Sequence, residues 1–114
     1  MFGNKYRAKK VAIGDEKFDS KAEYRRFLNL SAMEDVGKIS ELKRQVPFIL
    51  APSVKFDGEN RAKPALKYVA DFVYIDSNGD QVVEDVKGME TPEFRIKRHL
   101  MVSVHGVQIR VVKG

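Results

Sequence analysis

The strongest constraint in this chain is a pair of β-forming runs on either side of a turn. Lys67-Tyr-Val-Ala-Asp-Phe-Val-Tyr-Ile75 and Gln81-Val-Val-Glu-Asp-Val-Lys87 are dense in β-branched and aromatic residues. Ser77-Asn78-Gly79-Asp80, which separates them, holds the residue types that accept turn conformations. Such a chain must build a sheet around this hairpin. Each run also carries an aspartate in its interior, Asp71 and Asp85, where strand propensity disfavours one, so something other than propensity placed them there.

Whether the two acids meet depends on the turn. If Asn78-Gly79 is a two-residue turn, paired residue numbers add to 157 and Asp71 faces Val86, on the opposite side of the sheet from Asp85. If Ser77-Asn78-Gly79 forms a three-residue loop with Gly79 left-handed, they add to 156 and Asp71 faces Asp85, with Lys87 two residues along on the same side. A β-bulge would act similarly. The sequence leaves both registers open.

The remaining elements can be read around the hairpin. Lys10 to Asp19 reads as a short strand pair about Gly14-Asp15. Ser20-Lys21-Ala22-Glu23 is a capping box, in which the Ser20 hydroxyl accepts from the Glu23 amide and the Glu23 carboxylate reaches back to the Ser20 amide. A helix follows to about Val36, stopped by Gly37. Ile39 to Phe56 is β-rich but contains Pro47 and Pro52, so an extended, bent or edge strand is predicted. Thr91-Pro92-Glu93 opens a second helix running to about His105, before Gly106. Val107 to Val112 closes as a strand. The fold class is mixed α/β: a mixed sheet flanked by helices.

In the second register the chemistry is coherent. Two carboxylates roughly 5 Å apart across a strand pair repel each other unless a cation lies between them. Magnesium characteristically takes one or two carboxylates, keeps several waters and binds phosphate oxygens. Asp71 and Asp85 would be ligands, with the Val86 carbonyl oxygen as a further one, and Lys87 would orient the attacking water or stabilise developing phosphorane charge. The plainer reading is a cross-strand salt bridge among Asp71, Asp85 and Lys87. Two acids for one lysine, with Glu84 adjacent, count against it.

Two helical residues join the candidates. Glu23 falls between Phe27 and Leu30 on the helical wheel and so points toward the core, although Arg26 and Glu34 share that sector and the capping box explains a glutamate locally. Lys97 falls within the apolar arc of Phe94, Ile96, Leu100, Met101 and Val104; it either snorkels to the surface or reaches toward the phosphate. Arg95, Arg98 and His99 lie on the other side, suited to solvent or to a nucleic-acid backbone.

Composition narrows the alternatives. The 114 residues, 43% apolar, suffice for one domain spanning 1–114. With no cysteine and two histidines, thiolate zinc sites, disulfides and cysteine nucleophiles are excluded, and any metal must be held mainly by oxygen. Gly88-Met-Glu-Thr91 lacks phosphate-loop spacing, and nothing sets a histidine beside a serine nucleophile. No segment has the length of a signal peptide's apolar run or of a membrane span, so a cytoplasmic location without membrane partners is expected. The net charge of +5 is uneven: Lys5, Arg7, Lys9 and Lys10 crowd an expected flexible arm over residues 1–9 and its junction, and Arg95, Lys97 and Arg98 gather later. Such clusters suit a polyanion.

Tyr68-Val-Ala-Asp-Phe-Val-Tyr74 and Val83-Glu-Asp-Val-Lys-Gly88 resemble motifs of the PD-(D/E)XK nuclease superfamily. Asp71 matches the first acid, and Asp85-Val86-Lys87 the (D/E)XK triplet; Phe18-Asp-Ser-Lys-Ala-Glu23 looks like the first-helix motif, whose glutamate completes the metal site. The chain departs in having Ala70, not proline, before Asp71. The whole looks like a compact phage-associated endonuclease family related to Holliday-junction resolvases. The resemblance implies a restriction-endonuclease-like core with a four-stranded mixed sheet, Mg2+ or Mn2+ as cofactor, and hydrolysis of phosphodiester bonds in duplex or branched DNA, as a homodimer if two strands are cut. With Lys97 from the helical wheel, the candidate site is Glu23, Asp71, Asp85, Lys87 and Lys97, and the charge clusters offer Lys5, Arg7, Lys9, Lys10, Arg95 and Arg98 as DNA contacts. The alternatives are a non-catalytic DNA-binding module on the same scaffold and a structural protein with surface salt bridges.

Overall fold

The computed structural model describes residues 11–13 and 16–114. Strands β1 (Val11–Ile13) and β2 (Glu16–Phe18) form a separate antiparallel pair. Helix α1 (Lys21–Asp35) leads to β3 (Ser40–Ala51), β4 (Leu66–Ile75) and β5 (Gln81–Lys87); α2 (Pro92–His105) and β6 (Ile109–Lys113) follow. The main sheet has the order β3-β4-β5-β6. Its first three strands are an antiparallel meander, and β6 lies parallel to β5 because α2 carries the chain back across the sheet. This is the expected four-stranded mixed sheet with helices and extra N-terminal strands. The expected basic arm, with Lys5, Arg7, Lys9 and Lys10, lies outside the described residues. No helix among the described residues is long and apolar enough to cross a membrane.

The helix ends follow the local signals. Ser20 Oγ accepts from Glu23 N at 3.0 Å, but the Glu23 carboxylate reaches back one residue further than expected, accepting from Asp19 N at 2.9 Å and not from Ser20. Gly37, at φ 80°, ends α1, and Lys38 N donates back to Met33 O. Thr91 Oγ1 accepts from Phe94 N, Pro92 takes the first turn, and Gly106 at φ 67° closes α2.

Strand β3 is an edge strand, which is where a strand tolerates proline, and Pro47 sits opposite Val69 within it. It stops at Ala51 instead of Phe56, since Pro52 has no amide to continue the ladder. Beyond it the chain is held by an isolated bridge between Val54 and Lys63.

The core has two halves. Leu50, Tyr68, Ala70, Val73, Val83, Phe94, Met101 and Ile109 pack together, drawing in α2, while Leu30, Ile39, Phe72, Tyr74 and Val82 pack with Phe27 and Met33 of α1. The apolar arc predicted for α2 is split. Phe94 and Met101 are buried with Leu100 half-buried, but Ile96 and Val104 are 62% and 50% exposed, so the inner face runs through Phe94, Lys97 and Met101. The apolar arc is centred away from this face because exposed Ile96 and Val104 weigh as much in hydropathy as the residues that pack inward.

Candidate metal centre

The hairpin takes the second register. Ile75 pairs with Gln81, Tyr74 with Val82, Val73 with Val83 and Phe72 with Glu84. The turn causes this: Asp76 Oδ1 accepts from both Asn78 N and Asp80 N at 2.9 Å, and Gly79, at φ 83°, donates to Asp76 O. Carried one step further, this register sets Asp71 opposite Asp85. Regular pairing ends there, and Asp71 Oδ2 accepts from Val86 N at 2.8 Å. Val86 therefore meets the cluster through its amide.

Asp85 is buried and its Oδ2 lies 3.2 Å from Lys87 Nζ, which in turn sits 4.6 Å from the centre of the Phe94 ring. Of the salt bridge read from sequence among Asp71, Asp85 and Lys87, the Asp85–Lys87 pair is present, with Asp71 beside it as a second acid. Burial, followed by the hydrogen bond and charge of Asp85, pushes Asp71 up to about 8, against the opposing pull of the Val86 amide and Lys87.

Glu23 serves the cap and the cluster together. It is 2% exposed; Oε1 takes the Asp19 amide, while Oε2 accepts from Gln45 Nε2 at 3.0 Å and lies 3.7 Å from Arg44 Nη2. Burial and the charge of Asp71 raise its pKa. One carboxylate oxygen from each of Asp19, Glu23 and Asp71 lies within 4.8 Å of the others. Tyr68 is 3% exposed, and its hydroxyl has no hydrogen-bond partner among the described residues. Burial and the charges of Asp85 and Asp71 raise it, so it stays a proton donor; Asp85 is near enough to act on it but outside hydrogen-bond geometry.

A cleft of about 260 Å³ has Asp19, Gln45, Tyr68, Asp71, Asp85, Lys87, Phe94 and Lys97 on its walls. Lys97, half-buried, pairs with exposed Glu93 at 3.2 Å on the α2 side. Larger hollows of about 310 and 460 Å³ run along the outer face of α2 by Arg95 and His99, but they are open and carry no carboxylate. Arg95, Arg98 and His99 are exposed there, and Arg98 lies 3.3 Å from Glu90.

Glu84 takes no part in the cleft. It points to the α1 side, fully buried, accepting from Arg26 Nε and Nη2 at 2.8 and 2.7 Å and from the Tyr74 hydroxyl, with Arg110 3.9 Å away. Arg26 and Glu34, which seemed to argue against an inward Glu23, both have inward partners: Glu84 for one and the Leu42 amide for the other.

Asp19, Arg44, Gln45 and Tyr68 were missed from sequence. Asp19 stood inside the first-helix motif and could have been found there. Gln45 and Arg44 carry no local signal, since only the pairing of β3 with β4 brings Gln45 to Asp71 and only the packing of α1 against β3 brings both to Glu23. As a donor set the cluster is all oxygen and rich in carboxyl groups, with a protonated hydroxyl beside it, which fits a hard divalent cation and its waters better than a soft metal.

The fold and this cleft define a small mixed α/β protein with a buried, oxygen-lined acidic centre. The chain belongs to the DUF1064 family, proteins of unknown function, whose model matches residues 3–112. No curated protein and no solved structure matches it.

Proposed function

We propose that this protein is a divalent-metal-dependent endodeoxyribonuclease of the PD-(D/E)XK type. The observation that carries the reading is the place of Asp71: its carboxylate groups with that of Glu23 from α1, and it lines one cleft with Asp85 and Lys87 of β5. Asp71, Asp85 and Glu23 are the residues that would hold Mg2+ or Mn2+. Bound there, the ion would polarise the scissile phosphate and lower the pKa of a bound water. Lys87, held between Asp85 and the Phe94 ring, offers fixed positive charge to the phosphate as its charge develops. Lys97 stands at the rim on the side of α2, and Arg95 and Arg98 extend the positive surface outward for backbone contact. The substrate is duplex or branched DNA, cut in the cytoplasm by a homodimer where both strands are opened.

A plasmid-nicking assay tests this. Cleavage should require Mg2+ or Mn2+, stop with chelator, and fall at least a hundredfold in Asp85→Ala and Lys87→Ala, the scale on which a preorganised electrostatic group acts. Salt-sensitive DNA binding without cleavage, unchanged by Asp85→Ala, would replace the enzyme with a binding module.

A further inference from the structure

Gln45 lies on β3 where the register sets it opposite Asp71, between the pairs Arg44–Phe72 and Val46–Ala70. Its backbone is left-handed, φ 53°, a conformation that costs a non-glycine residue about 1 kcal/mol or more and that persists where something holds it. What holds it is visible: Nε2 donates to Glu23 Oε2 at 3.0 Å and approaches Asp71 Oδ1 at 3.5 Å. One amide nitrogen therefore stands against two of the three carboxylates of the cluster, from the open edge of the sheet.

We propose that Gln45 is itself a ligand of the divalent cation, through its side-chain oxygen, and that its amide turns over when the site fills. This rests on the metal reading above and goes beyond it, because the ligands were drawn there from α1, β4 and β5 alone.

The argument is one of charge. In the metal-free protein the amide must present N–H to the carboxylates, since its oxygen would be repelled by them. A cation between the carboxylates reverses this: N–H is repelled and the oxygen attracted. Rotation about the last side-chain bond exchanges the two with little change of shape. The spacing suits the exchange. Adjacent oxygens around an octahedral ion are about 2.9 Å apart for magnesium-length bonds and about 3.4 Å for calcium-length ones. The Gln45 nitrogen already stands at 3.0 and 3.5 Å from its two carboxylate partners. Tyr68, on the same cleft, independently lacks an acceptor: its buried hydroxyl has no hydrogen-bond partner among the described residues, and a water carried by the ion would supply one where an unmet buried donor is costly. A neutral oxygen from β3 also avoids adding a charge to a centre whose carboxylates already repel.

The test is Mn2+ titration by calorimetry and by melting temperature, without nucleic acid, for wild type, Gln45→Met and Gln45→Glu. Gln45→Met keeps the length and removes the oxygen; it should bind Mn2+ about tenfold more weakly or worse, the scale on which supporting contacts of a metal site act. Gln45→Glu restores an oxygen and should bind at least as tightly as wild type, with a lower metal-free melting temperature. Equal or tighter binding by Gln45→Met would overturn the proposal and make Gln45 only a plug over the acids. No Mn2+ effect on wild type would instead remove the metal centre itself, and this inference with it.

Discussion

Replacing Asp71 with asparagine should stabilise the metal-free protein in alkaline solution and leave it nearly unchanged in acid. In the folded chain, burial and then Asp85 raise Asp71 from 3.8 to about 8. Unfolded, the same group ionises near pH 4. Between these values the folded state holds a proton that the unfolded state has released. The stability this contributes is therefore fully present below about pH 4 and is lost as pH rises through about 8. The whole span of about four pH units would amount to ~6 kcal/mol at about 1.4 kcal/mol per unit. Asp85 is itself 3.2 Å from Lys87, which relieves part of the penalty. Roughly 2–4 kcal/mol should remain, two to three pH units at about 1.4 kcal/mol each. Asparagine has the shape of the protonated carboxyl, with an oxygen to accept from Val86 N and a nitrogen to donate toward Asp85. Urea unfolding in chelator at pH 5 and pH 9 measures the difference. The variant should lie within about 1 kcal/mol of wild type at pH 5 and be ~2–4 kcal/mol more stable at pH 9, a rise of about 10 °C in Tm for a chain of this size. A difference that is the same at both pH values, or a variant less stable than wild type at pH 9, would refute the reasoning.

Two other perturbations separate the scaffold from the site. Glu84→Ala leaves Arg26 without its bidentate partner and Tyr74 without its acceptor; it should cost ~2–4 kcal/mol in urea unfolding, with Arg26→Met/Glu84→Met recovering most of the loss. Should the double variant be as unstable as the single one, the ion pair is not what makes Glu84 matter. Arg95→Ala, on the exposed face of α2, should leave stability unchanged and reduce the salt dependence of DNA binding by about 0.9 in slope, one phosphate contact; an unchanged slope places the DNA elsewhere.

Much of this protein is written locally. The caps at Ser20 and Thr91, the stops at Gly37 and Gly106 and the hairpin of the two central strands rest on signals within a few residues, so the sequence alone determined them, while the prolines of β3 only allowed the edge place that the sheet order gives it. It also marked Asp71 and Asp85 as out of place and named the loop that would bring them together. The register itself waited on the Asp76 side chain, which folds over the turn to take the Asn78 and Asp80 amides; an aspartate and a glycine allow that geometry without requiring it. Lys97 was singled out, but the wheel could not decide which arc of α2 faces the sheet, because that depends on the angle at which the helix packs. Glu23 looked like a choice between cap and site, and only the tertiary structure shows one oxygen given to each. Gln45, Arg44 and Tyr68 lay beyond any local reading. Their roles arise from contacts between residues more than twenty positions apart, or from burial without a partner, and neither leaves a trace in spacing or composition.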